Sequence, residues 1–232
     1  MKIAIMQPYI FPYIGYYQLI NAVDKFVIYD DVSFIKRGWI NRNKILVNRN
    51  EHMFTVPLSN ASQNVLIRDL KLAVTEKWKN KIFKTLEYAY SRAPYYENTM
   101  SVLTQVINTK TNFILDWHLY SFELIARYLN INTVLVSSSN KYKNESKKGQ
   151  HRILDICLLE KADDYVNPIS GKALYDRELF LQEDIILKLL SCDEILYPQY
   201  DNEFVANLSI IDVMMFNSAE KIKNYLKMYK LV

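Results

Sequence analysis

The hydrophobic pattern predicts that the chain opens with a strand, a helix and a second strand. KIAIM, residues 2–6, is a short continuous apolar run, typical of a buried strand. Apolar positions from about Tyr13 to Val23 predict a helix, and Pro12 suits its first turn. KFVIYD, residues 25–30, predicts the second strand. Because this order begins a right-handed parallel unit, we expect both strands to end at one sheet edge, where open α/β sheets bind ligands.

The rest of the chain alternates between the same two patterns. Two β-prone runs flank Arg49-Asn50-Glu51 and predict a β-hairpin over residues 43–58, and VLIRDLKLAV, residues 65–74, is also strand-like. Further strands are predicted at 131–139, 163–168 and 183–190, and helices at 76–91, 95–109, 113–129, 150–160, 209–217 and 219–229. No repeat or linker divides the chain. We therefore expect one domain over residues 1–232, of the α/β class and Rossmann-like, with a mainly parallel sheet, flanking helices and an inserted β-hairpin.

Composition narrows the kinds of ligand site that the chain can hold. It has 18 Tyr and 10 Phe but only four glycines, Gly15, Gly38, Gly149 and Gly171. These stand too far apart for a glycine-rich nucleotide loop of either common kind. Any phosphate site must therefore use rigid turns, helix ends or arginines.

Other classes of protein are disfavoured by charge and by residue spacing. The net charge of +4 is too small for a general nucleic-acid or membrane-surface binder. No apolar run is long enough to cross a membrane, and the N-terminus lacks the pattern of a signal peptide. The two cysteines and three histidines show no metal-ligand spacing, so no metal site is predicted. We expect a cytoplasmic protein.

The first candidate site is the loop after the first strand. Pro8 and Pro12 make it rigid, and the free N–H groups at the start of the following helix offer an anion site. The alternative is a rigid joint with aromatic core packing. The substrate-binding candidates of this loop are Gln7, Tyr9, Tyr13 and Tyr16.

The second candidate site follows the second strand. Asp30 and Asp31 are catalytic candidates, since a carboxylate there can deprotonate an amine, or can hold Mg²⁺ or a ribose. Adjacent side chains on a strand point to opposite faces, so we expect at most one of them to enter a site. Arginine forks suit phosphates, and an indole suits stacking on a base or sugar. The substrate-binding candidates here are Arg37, Trp39, Asn41 and Arg42.

Two later segments add further candidates. The serines at 137–139, a basic loop and a helix start suggest a phosphate-gripping lid, with His151 as acid or base and Arg152 as a ligand to phosphate. A surface role is the alternative for His151. Lys172 and Tyr175 follow a strand and are candidates for substrate binding. The alternative is that they belong to an ordinary turn. Ser209 fits a helix N-cap, with Asp212 three residues on in a capping box.

Taken together, these motifs carry a family resemblance along most of the chain. MQPYIFPYIGYYQLI, DKFVIYDDVSFIKRGWINRN, HRILDIC, GKALYD and LSIIDVMMFN resemble the WbqC-like proteins. The resemblance implies a bacterial protein associated with surface-polysaccharide or O-antigen gene clusters. It also implies a role in amino-sugar modification, to which a glycine-transferase label is sometimes attached.

A more distant likeness is to the nucleotidyltransferase superfamily that includes pantothenate synthetase. That superfamily's loop carries H-x-G-H, which grips ATP phosphates. The matching positions here are residues 12–16, PYIGY, which contain no histidine. The scaffold of that superfamily is therefore expected, and its adenylating chemistry is not.

The resemblance implies an enzyme that joins an amino acid, such as glycine, to the amine of a nucleotide-linked amino sugar. An adenylated donor needs ATP and Mg²⁺, whereas a thioester or charged tRNA does not. The alternative is a non-catalytic protein that binds a nucleotide-sugar or a partner enzyme after losing the H-x-G-H motif. The sequence leaves the donor, the sugar and a homodimer open.

Overall fold

The computed structural model describes residues 1–201 and 203–232, which form a mixed α/β protein. In these residues the strands are β1 Lys2–Met6, β2 Lys25–Ile28, β3 Arg42–Val47, β4 Asn50–Thr55, β5 Leu58–Ser59, β6 Lys71–Leu72, β7 Val134–Val136, β8 Asp164–Pro168, β9 Ile186–Cys192 and β10 Tyr229–Leu231. The α-helices are α1 Ile14–Asn21, α2 Glu76–Tyr90, α3 Tyr96–Ile107, α4 Ile114–Leu129, α5 Gly149–Leu159, α6 Arg177–Leu181, α7 Ile210–Phe216 and α8 Ala219–Tyr225. None of these helices combines the length and apolar character needed to cross a bilayer.

A six-stranded sheet forms the centre, in the order β10-β9-β8-β1-β2-β7. Five strands are parallel, and β10 pairs antiparallel with β9. From β1 the chain first adds β2 and β7 on one side, and then returns to add β8, β9 and β10 on the other. The direction of winding therefore reverses between β1 and β8. In open α/β sheets, ligands bind at the carboxyl ends of the strands at such a point.

Both faces of the sheet are buried, which explains why its first strands are continuous apolar runs. Ala4 of β1 and Phe26 of β2 pack in one core cluster with Tyr17 of α1. Their neighbours Ile5 and Val27 pack on the other face. There they join α5, whose buried side chains belong to the second cluster. Helices α1 and α5 thus cover opposite faces.

Outside the large sheet, β3 and β4 form a separate antiparallel pair. Val47 pairs with Asn50, so the turn residues are Asn48 and Arg49, both with positive φ. Such a two-residue turn matches the twist of antiparallel strands. The predicted turn over residues 49–51 was displaced toward the C-terminus.

Two predicted elements were wrong. Residues 65–74 form a 3-10 turn at Ile67–Asp69 and the two-residue strand β6, and not one strand. The last predicted helix ends at Tyr225, and residues 229–231 add β10 to the sheet edge. In both cases apolar residues are spaced to fit more than one element, and tertiary packing decides between them.

A buried carboxylate joins α7 to the neighbouring elements. Asp212 accepts hydrogen bonds from the hydroxyl of Tyr90 at 2.8 Å, the hydroxyl of Tyr197 at 2.7 Å and the amide of Gln199 at 2.7 Å. Ser209 caps the helix through the N–H of Ile211 at 3.2 Å, as predicted. The side chain of Asp212 is engaged by this network, so its predicted part in a capping box was wrong.

Candidate functional site

A cleft of about 430 Å³ lies at the carboxyl edge of the sheet, between the ends of β1 and β8. It lies where the winding direction reverses, as the parallel opening of the chain predicts. We call it the sheet-edge cleft. Its lining residues are Ile5, Met6, Gln7, Tyr9, Tyr29, Gly149, Gln150, Ile153, Asn167, Pro168, Ser170, Gly171, Leu174 and Tyr175.

The N-terminus of α5 forms one wall of this cleft. Lys148 precedes the helix in an extended conformation, and its side chain makes no capping hydrogen bond. Gly149 has a φ of +54°, a conformation that favours glycine. The first-turn N–H groups of an α-helix lack intrahelical partners, and the helix dipole favours an anion beside them. This wall suits a phosphate or carboxylate group.

The opposite wall is the turn after β8. The amide of Asn167 donates to the carbonyl of Pro168 at 3.1 Å, and its oxygen accepts from the Tyr165 hydroxyl at 3.2 Å. A methyl group on Gly171 would lie 2.1 Å from the Asn167 amide nitrogen. The turn can therefore approach Asn167 this closely only because residue 171 lacks a side chain.

The aromatic side chains of the cleft are neutral phenols. Burial raises the pKa of Tyr9, Tyr29 and Tyr175 above the ordinary value, so each keeps its proton near pH 7. Tyr175 also shares a 3.0 Å hydrogen bond with the hydroxyl of Tyr165. These phenols can stack on a ring or exchange hydrogen bonds with hydroxyl groups, and they do not supply a base.

The predicted catalytic carboxylates lie behind the cleft and line neither it nor the pocket described below. Asp30 accepts hydrogen bonds from the Ser138 hydroxyl and the Ser139 N–H, both at 2.9 Å. The Ser139 hydroxyl donates its one proton to Asp31. One serine thus holds both carboxylates, so the expectation that they face opposite ways was wrong. The chain leaves β2 at Ile28, and strand alternation no longer applies at residues 30 and 31.

Arg152 forms a buried ion pair with Asp31 through Nη2. Its Nε donates to the Asn144 amide oxygen at 3.0 Å, which fixes the guanidinium in place. The guanidinium carbon also lies 5.1 Å from the ring centroid of Tyr29, a cleft residue. Arg152 therefore contacts the wall of the cleft through Tyr29, while its guanidinium donates hydrogen bonds to Asn144 and Asp31.

A second, smaller pocket of about 230 Å³ shares Tyr9 with the cleft. Its other lining residues are Pro12, Tyr13, Trp39, Asn43 and Asn207. We call it the aromatic pocket. Tyr9 packs on the buried Tyr16, with ring centroids 5.6 Å apart, and the Tyr16 hydroxyl donates to the Gln7 carbonyl at 2.8 Å. Tyr16 is a support for Tyr9, and not itself a lining residue.

The start of α1, expected to offer an anion site, borders a different cavity of about 360 Å³. That cavity is also lined by Asp193 and Glu194, whose carboxylates repel an anion. The ring of Tyr13 folds over Gly15, 2.3 Å from where a methyl group would stand. A phosphate is therefore better accommodated at α5 than at α1.

Several predicted residues point away from both cavities or bind the backbone. Arg42 donates to the carbonyls of Gly38, at 3.0 Å, and Arg37. The Asn41 amide donates to the Val56 carbonyl at 2.8 Å. Arg37, His151 and Lys172 are exposed, and none is among the lining residues of the cleft or the aromatic pocket.

Sequence reasoning missed part of the cleft wall. Asn167 and Pro168 end β8 at the same edge as Gln7, and their position after a buried strand was a usable signal. Tyr29 was overlooked beside the two aspartates that follow it. Asn207 directly precedes the LSIIDVMMFN motif but lies far along the chain from Tyr13, so only the tertiary structure brings the two residues to one pocket.

The fold and cleft define an α/β protein with a ligand-sized site at the carboxyl edge of a mainly parallel sheet. Comparison with known families gives a match to the WbqC-like protein family over residues 7–224. The chain belongs to this family. It is 29% identical over 231 residues to the uncharacterized protein Rv1507c of Mycobacterium tuberculosis (strain ATCC 25618 / H37Rv), covering 97% of each chain. No solved structure matches the chain significantly.

Proposed function

We propose that this protein is a transferase or ligase that binds a nucleotide-linked amino sugar and joins an amino acid, such as glycine, to its amine in surface-polysaccharide biosynthesis. The observation that carries the proposal is the sheet-edge cleft itself. It combines phenol rings, side-chain amides and the N-terminus of α5 at the point where the winding of a mainly parallel sheet reverses. Rings and hydroxyls of a sugar nucleotide match the first two, and its pyrophosphate matches the third.

Each part of the cleft has a definite role in this proposal. Gly149 and Gln150 offer backbone N–H groups to the pyrophosphate. Tyr29 and Tyr175 stack on the base, and Gln7 and Asn167 hydrogen-bond hydroxyls. The Asp31–Arg152 pair positions the Tyr29 ring from behind and does not contact the ligand.

A second candidate function is non-catalytic binding of the same nucleotide-sugar. One observation favours it specifically. No carboxylate or imidazole is among the described residues that line the cleft, so the cleft lacks a side chain able to deprotonate an ammonium group. In the transferase the amine must then lose its proton to the donor or to water.

Mass spectrometry separates the two candidates. The protein is incubated with a dTDP- or UDP-linked amino sugar, glycine, ATP and Mg²⁺, and then with a glycyl thioester or charged tRNA in place of glycine and ATP. A glycyl adduct of the sugar supports the transferase. Saturable binding by calorimetry without an adduct from any donor supports the binding protein, and no binding contradicts both.

The cleft is tested by Tyr175→Ala, which removes one stacking ring. We expect the dissociation constant for the nucleotide-sugar to rise about tenfold, the usual size of one aromatic contact. Tyr88→Ala is the matched control, because Tyr88 is an exposed tyrosine of α2 outside the cleft. Equal effects of the two variants would place the ligand elsewhere.

A further inference from the structure

Tyr9 is the common wall of two cavities that differ in size and chemistry. The sheet-edge cleft, at about 430 Å³, falls within the roughly 300–1,000 Å³ typical of small-molecule pockets. The aromatic pocket, at about 230 Å³, falls below that range. It therefore suits a single ring, and a nucleotide needs the larger space.

The walls of the aromatic pocket suit a ring with one apolar face. Three aromatic side chains surround it, and Trp39 and Tyr13 keep 40% and 36% of their surfaces exposed. Large aromatic side chains that remain open to solvent around a concavity mark a binding site. The remaining side chains at the wall are Pro12 and the neutral amides of Asn43 and Asn207. A phosphate finds no cationic side chain among these six residues.

A cation placed directly on the Trp39 ring is also disfavoured, although aromatic cages commonly bind ammonium groups. The Lys44 ammonium already lies 5.9 Å from the centroid of the Trp39 ring. A second cation on that indole meets repulsion from the first. A ligand that places an uncharged face of C–H groups on the Trp39 ring avoids this repulsion.

The pocket is held rigidly by its backbone. The Ile10 N–H donates to the Trp39 carbonyl at 3.3 Å, and the His118 Nε2 lies 2.7 Å from the Ile40 carbonyl. Burial lowers the pKa of His118 to about 4, so near pH 7 the imidazole is neutral and Nε2–H donates this bond. The Asn43 amide donates to the carbonyls of Ile10 and Phe11 at 2.9 and 2.7 Å. Because the wall is already ordered, a ligand that enters the pocket causes little further loss of conformational entropy.

We infer that the aromatic pocket binds the pyranose ring of the nucleotide-linked sugar, with the nucleotide in the sheet-edge cleft and Tyr9 between them. This inference rests on the proposed function and adds a division of the site into two subsites. The apolar face of the sugar lies on Trp39, and its hydroxyls exchange hydrogen bonds with the Asn207 amide and the phenols of the pocket.

Calorimetry with UDP and UDP-glucosamine tests the division on the full chain. In the wild type we expect UDP-glucosamine to bind about tenfold more tightly than UDP, since one aromatic contact is worth about that factor. Trp39→Ala should remove this difference and leave the UDP constant unchanged. Tyr175→Ala should weaken both ligands equally. Loss of UDP affinity in Trp39→Ala, or an undiminished preference for UDP-glucosamine, would overturn the inference while the proposed function stands.

Fluorescence tests the pocket without a nucleotide. Methyl glucoside, which is uncharged, should quench the tryptophan fluorescence of the wild type saturably and leave that of Trp39→Phe unchanged, because neither Trp78 nor Trp117 lines the aromatic pocket. Tetramethylammonium is the comparison probe. Stronger quenching by tetramethylammonium, or no saturable quenching by the glycoside, contradicts the sugar subsite. If UDP does not bind but the glycoside quenches the Trp39 fluorescence, the proposed nucleotide site is wrong and the aromatic pocket is still a sugar site.

Discussion

The buried carboxylates Asp31 and Asp212 are stabilised in opposite ways. Asp31 is paired with the charged Arg152, behind the wall of the sheet-edge cleft. Asp212 is held by two phenols and an amide, all neutral, and lines neither the cleft nor the aromatic pocket. Removing one member of an ion pair leaves a buried charge, whereas removing Asp212 leaves only neutral donors. Substituting Asp31 and substituting Asp212 should therefore lower the free energy of unfolding by different amounts.

The largest effect is expected from Asp31→Ala. It leaves the Arg152 guanidinium, whose side chain is only 5% exposed, without its counter-charge. We expect the free energy of unfolding to fall by about 4 kcal/mol, within the range for broken buried pairs. Urea denaturation measures it. The double variant Asp31→Ala/Arg152→Met removes both charges and should recover part of this loss in stability. Equal losses in the single and double variants would show that the uncompensated Arg152 charge is not the cause of the destabilisation.

Asp212→Ala should cost less, about 2–3 kcal/mol, because three donors lose their acceptor but no charge is stranded. Asp212→Asn keeps an acceptor oxygen and should cost about 1 kcal/mol. The same denaturation experiment ranks these variants against Asp31→Ala. A larger loss for Asp212→Ala than for Asp31→Ala would reverse the comparison.

The smallest effect is a pH dependence specific to Asp212. Burial raises its pKa above the ordinary 3.8, and the hydrogen bonds from Tyr197, Tyr90 and Gln199 offset this only in part. The folded state keeps the proton to a higher pH than the unfolded chain. The free energy of unfolding should therefore fall as the pH rises from about 3.8 through the raised pKa, and then level off.

Asp212→Asn removes this titration and leaves the other groups in place. Its unfolding free energy relative to the wild type should rise across the same interval of pH and stay constant above it. Parallel urea titrations between pH 4 and pH 8 give this difference directly. A difference that is flat throughout would mean that the Asp212 pKa is equal in the folded and unfolded states.

Much of the central fold was predictable because β1 and β2 are buried on both faces. Two-sided burial makes their sequences continuous apolar runs, and the loop with Pro8 and Pro12 marks the strand end. Residues 229–231 were missed because their three-residue strand carries no period of its own. Its place beside β9 depends on contacts between distant parts of the chain.

The candidate site was predicted where motif and topology coincide. Gln7, Tyr9 and Tyr175 follow strands and line the cleft, and Tyr9, Tyr13 and Trp39 line the aromatic pocket. The arginines were predicted from their guanidinium forks and, for Arg152, from its place at a helix start. Sequence alone does not show that a guanidinium already donates to another group of the protein. Arg42 donates to a backbone carbonyl, and Arg152 is paired with a carboxylate.

The contact between Gly171 and Asn167 also bears on how ligand range can change within such a scaffold. The shape of the cleft at this point depends on residue 171 being glycine, because the methyl group of an alanine would already displace the Asn167 amide. Gly171→Ala would therefore force the Asn167 side chain, which lines the cleft, to move. A single codon change at position 171 is thus enough to change the shape of the cleft.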